Sequence, residues 1–137
     1  LPSKDEFRVF LEDYVEASRK NPIIGIKDNL GNIIHQKKGM KINGGCTGYG
    51  CGTAFNFFVL LPDGEIHACR KFPSLLGNIF ETSLSDIYDS KLARMYRAGP
   101  YACRLCSLRP SCGGCLASAH NHGLDIFMDR DPYCFIE

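Results

Sequence analysis

No stretch of this 137-residue chain approaches the roughly 20 consecutive apolar residues of a membrane-spanning helix, and residues 1–20 carry too many charges for a secretory signal. An excess of one charge is missing too. The 16 Lys and Arg stand against 15 Asp and Glu, a net charge of +1, which removes the broad attraction of basic proteins to nucleic acid or anionic lipid. Internal repeats and low-complexity tracts are absent, and 45% of the residues are apolar, so a disordered tail is excluded. A chain of this length allows one modest domain, or a small domain with an appendage. It reads as soluble, and a first residue that is leucine rather than methionine hints at a piece of something longer.

What is abundant is cysteine. Eight thiols in 137 residues must be disulfide-bonded, metal-bound or liable to oxidise. A chain this long could bury about two-thirds of its unfolded surface without covalent staples, and residues 1–20 do not read as a signal peptide, so a secreted disulfide scaffold ranks last. Eight is twice four, and four thiolates are what a structural zinc, a 2Fe–2S or a 4Fe–4S cluster each require. The spacing runs Cys46-x4-Cys51-x17-Cys69, then Cys103-x2-Cys106-x5-Cys112-x2-Cys115, then eighteen residues to Cys134. Three close cysteines followed by one that can point elsewhere favour iron–sulfur over zinc, whose sites usually pair CxxC knuckles or recruit histidine. Zinc and disulfides remain open at this point.

Ser3, with Glu6 three residues on, is a capping box for a first helix, which the spacing of Phe7, Phe10, Leu11 and Tyr14 continues and Asn21-Pro22 ends. Residues 23–26 and 33–34 are β-branched runs flanking Asp28-Asn29-Leu30-Gly31 and predict a small hairpin. A glycine-rich segment opens after Asn43 and marks a domain boundary; Gly44, Gly45, Gly48, Gly50 and Gly52 allow backbone N–H groups to turn toward an anion. Residues 55–61 and 65–69 predict two strands across Pro62-Asp63-Gly64, with Cys69 closing the second. Residues 70–78 read as a loop. Ser83 and Ser90 cap two helices over 83–88 and 90–97, with Leu84, Ile87, Tyr88, Leu92, Met95 and Tyr96 as their buried face and Gly99-Pro100 as the stop. Residues 101–115 hold too little apolar content to order themselves, and a short helix follows at 116–120.

The stretch Cys51-x12-Gly64-x4-Cys69, then Cys103-x2-Cys106-x5-Cys112-x2-Cys115, then Cys134 resembles the seven-cysteine pattern of the SPASM domain. That domain carries auxiliary clusters at the C-terminus of many radical SAM enzymes. The pattern has three residues where this chain has two before Cys115. Leu76-Gly77-Asn78-Ile79 and Ser83-Leu84-Ser85-Asp86-Ile87-Tyr88 also resemble the family's link between cysteine groups, and the likeness covers about two-thirds of the chain. The resemblance implies a small α+β domain with a β-hairpin, short helices and long cluster-binding loops over residues 44–137. Residues 1–43, with their helix and short strands, would be the C-terminal end of the radical SAM barrel and a connecting segment.

By the same resemblance, Cys46, Cys51, Cys69 and Cys115 would hold a first 4Fe–4S cluster, and Cys103, Cys106, Cys112 and Cys134 a second. The crossing would tie the C-terminal loop back to the hairpin. The CxxxCxxC motif that holds the SAM-cleaving cluster is absent, so S-adenosylmethionine would bind only in the missing barrel, and this piece alone should be inactive. The implied role is electron transfer in a cytoplasmic peptide or protein maturase, with the barrel and the substrate as partners and neither nucleic acid nor membrane. The alternative is a zinc-binding protein-interaction module.

Side chains near the cysteines are secondary candidates. Arg70, Lys71, Arg104 and Arg109 lie one to three positions from a cysteine and could tune a cluster, although solvated surface charge is commoner for any one of them. His67, His120 and His122 could replace a thiolate but are not needed, and His35 has no such context. Phe55, Phe57 and Phe58 read as core, or as an apolar shell around a cluster, and Asp63 and Asp131 as turn and cap residues.

Overall fold

A computed structural model describes residues 1–44 and 50–136. The elements are α1 (Lys4–Lys20), α2 (Gly31–Lys37), β1 (Val59–Leu60), β2 (Glu65–His67), β3 (Leu75–Asn78), α3 (Leu84–Asp89), α4 (Lys91–Ala98) and α5 (Leu116–Asn121). Single 3-10 turns occupy Tyr101–Cys103 and Arg109–Ser111. This is an α+β arrangement with one three-stranded antiparallel sheet in the order β1-β2-β3. No helix among the described residues is long and apolar enough to cross a membrane.

Helix α1 begins as its sequence predicts. The Ser3 hydroxyl accepts the Glu6 N–H at 3.2 Å while Glu6 accepts the Ser3 N–H at 2.8 Å, satisfying two orphan donors of the first turn. Its buried residues are Leu11 and Val15, whereas Phe10 is 59% exposed. The hairpin expected over residues 23–34 is not formed; helix α2 takes its place. Asp28 Oδ1 accepts the Leu30 N–H at 2.9 Å, so the apparent turn residues start a helix. Leu30, Ile33 and Ile34 then bury against α1, and that burial outweighs the β-preference of the isoleucines. Gly31 sits at the contact, where a Cβ would lie 3.3 Å from Ile26.

The β1–β2 hairpin is present but shorter than expected, turning at Gly64 with φ +86°. Residues 70–78 are not all loop. Residues Leu75–Asn78 form β3, paired to β2 through a bulge between Ile66 and His67. A four-residue strand containing Gly77 carries almost no β signal, yet that glycine lets Ile87 of α3 approach to 3.1 Å of where its Cβ would be. Ser83 and Ser90 cap α3 and α4, and Gly99 ends α4 with φ +65°, as expected. Their buried residues are Ile87, Ala93 and Tyr96, while Leu84 is 52% exposed and Leu92 and Met95 lie at the surface.

Two cores result. The first joins Leu11, Val15, Leu30, Ile33 and Ile34 to Leu108, Cys112 and Phe135, so it runs across the glycine-rich segment. The second gathers Ala54, Ala68, Phe72, Ala93, Tyr96, Leu116 and Ala117. Asn32, 1% exposed, fastens the first core: its Nδ2 donates to the Asn43 carbonyl at 2.6 Å and the Ser111 carbonyl at 2.8 Å, and its Oδ1 accepts the Asn43 N–H at 2.8 Å. Replacing Asn32 by alanine strands three backbone groups, so Asn32→Ala should cost about 2–3 kcal/mol in denaturant unfolding; a cost near zero would remove Asn32 from this role.

His35 in α2 is 5% exposed, and neither ring nitrogen has a hydrogen-bond partner among the described residues. Burial holds its pKa below the ordinary 6.5, and the nearby Lys41 backbone, which completes no hydrogen bond, pulls weakly the other way. A depressed folded pKa means the neutral ring stabilises the fold above 6.5 and this contribution is lost as pH falls below it. The unfolding midpoint should therefore drop between about pH 7 and pH 5, and His35→Leu should flatten that drop.

Candidate metal centres

Cys103 closes the 3-10 turn Tyr101–Cys103, and its carbonyl accepts the Cys106 N–H at 3.0 Å, so the CxxC pair is one continuous tight turn. Cys112 follows the second 3-10 turn, and Cys134 returns from the far end of the chain, its N–H donating to the Asp131 carbonyl at 2.9 Å. These four cysteines line one cavity of about 370 Å3, mouth included. Leu30, Ile33, Leu108 and Ile136 supply apolar wall, and Arg109 and Arg130 the positive charge.

The electrostatics of this set call for a cation. Burial pushes the Cys112 thiol up to about 12; the Gly114 N–H, donating to its Sγ at 3.4 Å, opposes this, and Cys134, Cys103 and Cys106 add to it. Cys103 is raised by burial and then by Cys134, with Arg130 opposing. Thiols buried together in a shared apolar cavity cannot all ionise unless positive charge sits among them. Metal ions bound by thiolate supply it, so the donor set fits such a group.

Cys69 and Cys115 are placed elsewhere, against the second core. The Ser74 hydroxyl, 2% exposed, accepts the Cys69 N–H at 2.9 Å and donates to the Cys69 carbonyl at 3.0 Å, a two-way clamp on the backbone just past β2. Cys115 is the N-cap of α5. Burial raises its pKa, the Ser118 N–H draws it back, Asp131 raises it again, and the Ala117 N–H and Lys71 lower it. Cys51 lies 2.9 Å from the Thr53 hydroxyl and follows Gly50, whose Cβ would fall 2.9 Å from the Cys112 carbonyl oxygen. Only glycine fits there. Cys46, with the glycines at 45 and 48, lies outside the described residues. The seven described cysteines are all free thiols, and among the described residues no three His, Cys, Asp or Glu gather around a single ion.

The secondary candidates sort by their contacts. His67 accepts the Ser74 N–H and pairs with Glu65 at 2.9 Å; His120 lies against Phe72; and His122 is bonded to the Ser118 carbonyl. Arg70 is exposed, and Arg104 stacks on Tyr101 at 3.6 Å. Arg109 is structural: its guanidinium donates to the Arg97 carbonyl at 2.8 Å and to the Ala98 carbonyl, filling the space that Cβ atoms on Gly99 and Gly113 would occupy. Phe58 packs on the second core, but Phe55 and Phe57 are 40% and 41% exposed along an open groove, contrary to their reading as core. Residues 53–57 form an irregular turn starting from Ala54 at φ +52°, so strand alternation does not apply there. Asp63 accepts the Glu65 N–H, the turn role expected of it. Arg130 and Asn32 were not singled out from sequence, since nothing local marks a residue whose partners lie on distant segments; Ser74, which bonds Cys69 and His67 nearby, carries no motif of its own.

Comparison with known families agrees with this geometry: residues 51–115 match the model of SPASM, described as an iron–sulfur cluster-binding domain. That match spans just under half of the chain. The SPASM domain binds iron–sulfur clusters, which accounts for the thiols that the fold brings together. The chain is also 29% identical over 110 residues to an AdoMet-dependent heme synthase of Methanosarcina barkeri (strain Fusaro / DSM 804), the match covering 72% of this chain and 31% of that protein. It thus spans about a third of the relative's length. No solved structure matches.

Arg109 offers a test of how the SPASM loops are held. Arg109→Met removes charge-assisted bonds to the end of α4 and should cost about 2 kcal/mol in chemical denaturation. Arg109→Lys should recover less than half of that, because an ammonium cannot reproduce the planar fork; full recovery would leave charge alone as the explanation.

Proposed function

We propose that this chain is the auxiliary-cluster part of a radical SAM enzyme, with residues 1–43 belonging to the end of the barrel and its connection and residues 44–137 binding two 4Fe–4S clusters. Cys46, Cys51, Cys69 and Cys115 hold the first, and Cys103, Cys106, Cys112 and Cys134 the second. The observation that carries this reading is the single apolar-walled cavity lined by the second set. Four thiols on the wall of one apolar cavity suit an iron–sulfur centre, which needs four thiolates and an apolar shell. When bound, such clusters transfer single electrons with little rearrangement. The protein's part is to exclude water with Leu30, Ile33, Leu108 and Ile136, to donate the Gly114 N–H to a ligand sulfur, and to offset negative charge with Arg130.

The chain supplies no SAM-cleaving motif, so catalysis belongs to the complete enzyme, working in the cytoplasm where thiols stay reduced. We take its substrate to be a peptide or protein, by analogy with maturases that carry paired auxiliary clusters. A second reading follows from the relative named for heme synthesis: the substrate would then be a heme precursor. Assaying the complete enzyme for heme formation separates the two.

Anaerobically purified chain should be brown and carry about eight irons. Cys134→Ser and Cys69→Ser should each lose about half of that iron, from different centres. Colourless protein holding zinc after anaerobic preparation would overturn the reading in favour of a zinc-binding module.

A further inference from the structure

Asp131 stands between the two sets of cysteines. It is 5% exposed, and each of its three oxygens accepts a hydrogen bond. Its Oδ2 accepts the Cys115 N–H at 2.7 Å, its Oδ1 the Tyr133 N–H at 2.9 Å, and its backbone carbonyl the Cys134 N–H at 2.9 Å. It also lines the cavity of Cys103, Cys106, Cys112 and Cys134. The bond to Tyr133 is ordinary turn chemistry, the same that Asp63 performs in the hairpin. The bond to Cys115 is not, because it reaches across 16 residues to another loop. The approach is close: Gly114, at φ +67°, would place a Cβ 2.7 Å from that of Asp131, so no other residue fits beside the carboxylate.

From this juxtaposition we propose that Asp131 is a positioning residue that couples the two centres, its carboxylate fixing the backbone of a ligand of the first and its carbonyl that of a ligand of the second. The inference rests on the two-cluster reading above. A strain at either centre is passed to the other through one rigid residue. The length of the Cys112–Cys115 spacer is matched to it, since Gly113 and Gly114, both at positive φ, swing Cys115 away from the cavity and onto the Asp131 carboxylate.

The test compares wild type, Asp131→Ala, Asp131→Asn and Asp63→Asn, each as the full chain purified anaerobically, by iron and sulfide content, by iron release to a chelator, and by electron paramagnetic resonance of the reduced protein. In Asp131→Ala both centres should release iron at least about tenfold faster, with both resonance signals altered. Asp131→Asn keeps one acceptor oxygen and should fall between, while Asp63→Asn should match wild type. If the alanine variant fails to fold, by circular dichroism, the asparagine variant decides by whether both signals change shape. Unaltered signals and release, or a change confined to one centre, would overturn the coupling. Wild type holding about four irons would instead overturn the two-cluster reading beneath it.

Discussion

Everything in this fold answers to the cost of putting thiols together out of water. A buried thiol resists ionisation, so the chain supplies groups that favour the charged form: a backbone N–H at the Cys112 sulfur and the Arg130 and Arg109 guanidinium groups acting on Cys103. The same constraint explains the irregular backbone. Loops that carry ligands cannot close their own hydrogen bonds as helices do, and the molecule satisfies them with buried side chains, Asn32 for residues 43 and 111, Ser74 for Cys69 and Asp131 for Cys115.

The two cores divide the cysteines in a way that composition could not foretell. Cys106, Cys112 and Cys134 pack with the amino-terminal helices, and Cys69 and Cys115 with the sheet and α4. Because the first core draws on α1 and α2, the stretch before Asn43 is part of the wall of one candidate centre. Leu30 and Ile33, which read from sequence as turn and strand, are its lining.

What was legible in the sequence was whatever depends on a few neighbouring residues. Serine caps at residues 3, 83 and 90, the Pro62-Asp63-Gly64 turn and the glycine stop at Gly99 all act within one turn of the chain, and each lies where its chemistry puts it. The cysteine spacing was legible as a family pattern, and residues 51–115 match the model of that family. Helix α2 was misread because two adjacent isoleucines are consistent with either period, and only contact with Leu11 and Val15 decides. Strand β3 was missed because Gly77 within four residues leaves little β signal, and Asn32 because one of its partners, Ser111, is 79 positions away.

The place of Cys134 in the cavity bears on how the protein is made. Three of that cavity's thiols emerge from the ribosome close together, but the fourth follows Cys112 only 22 residues later, with Phe135 beside it to seal the core. The set of four thiols, and the core that Phe135 seals, are therefore complete only once the last residues of this stretch have been made.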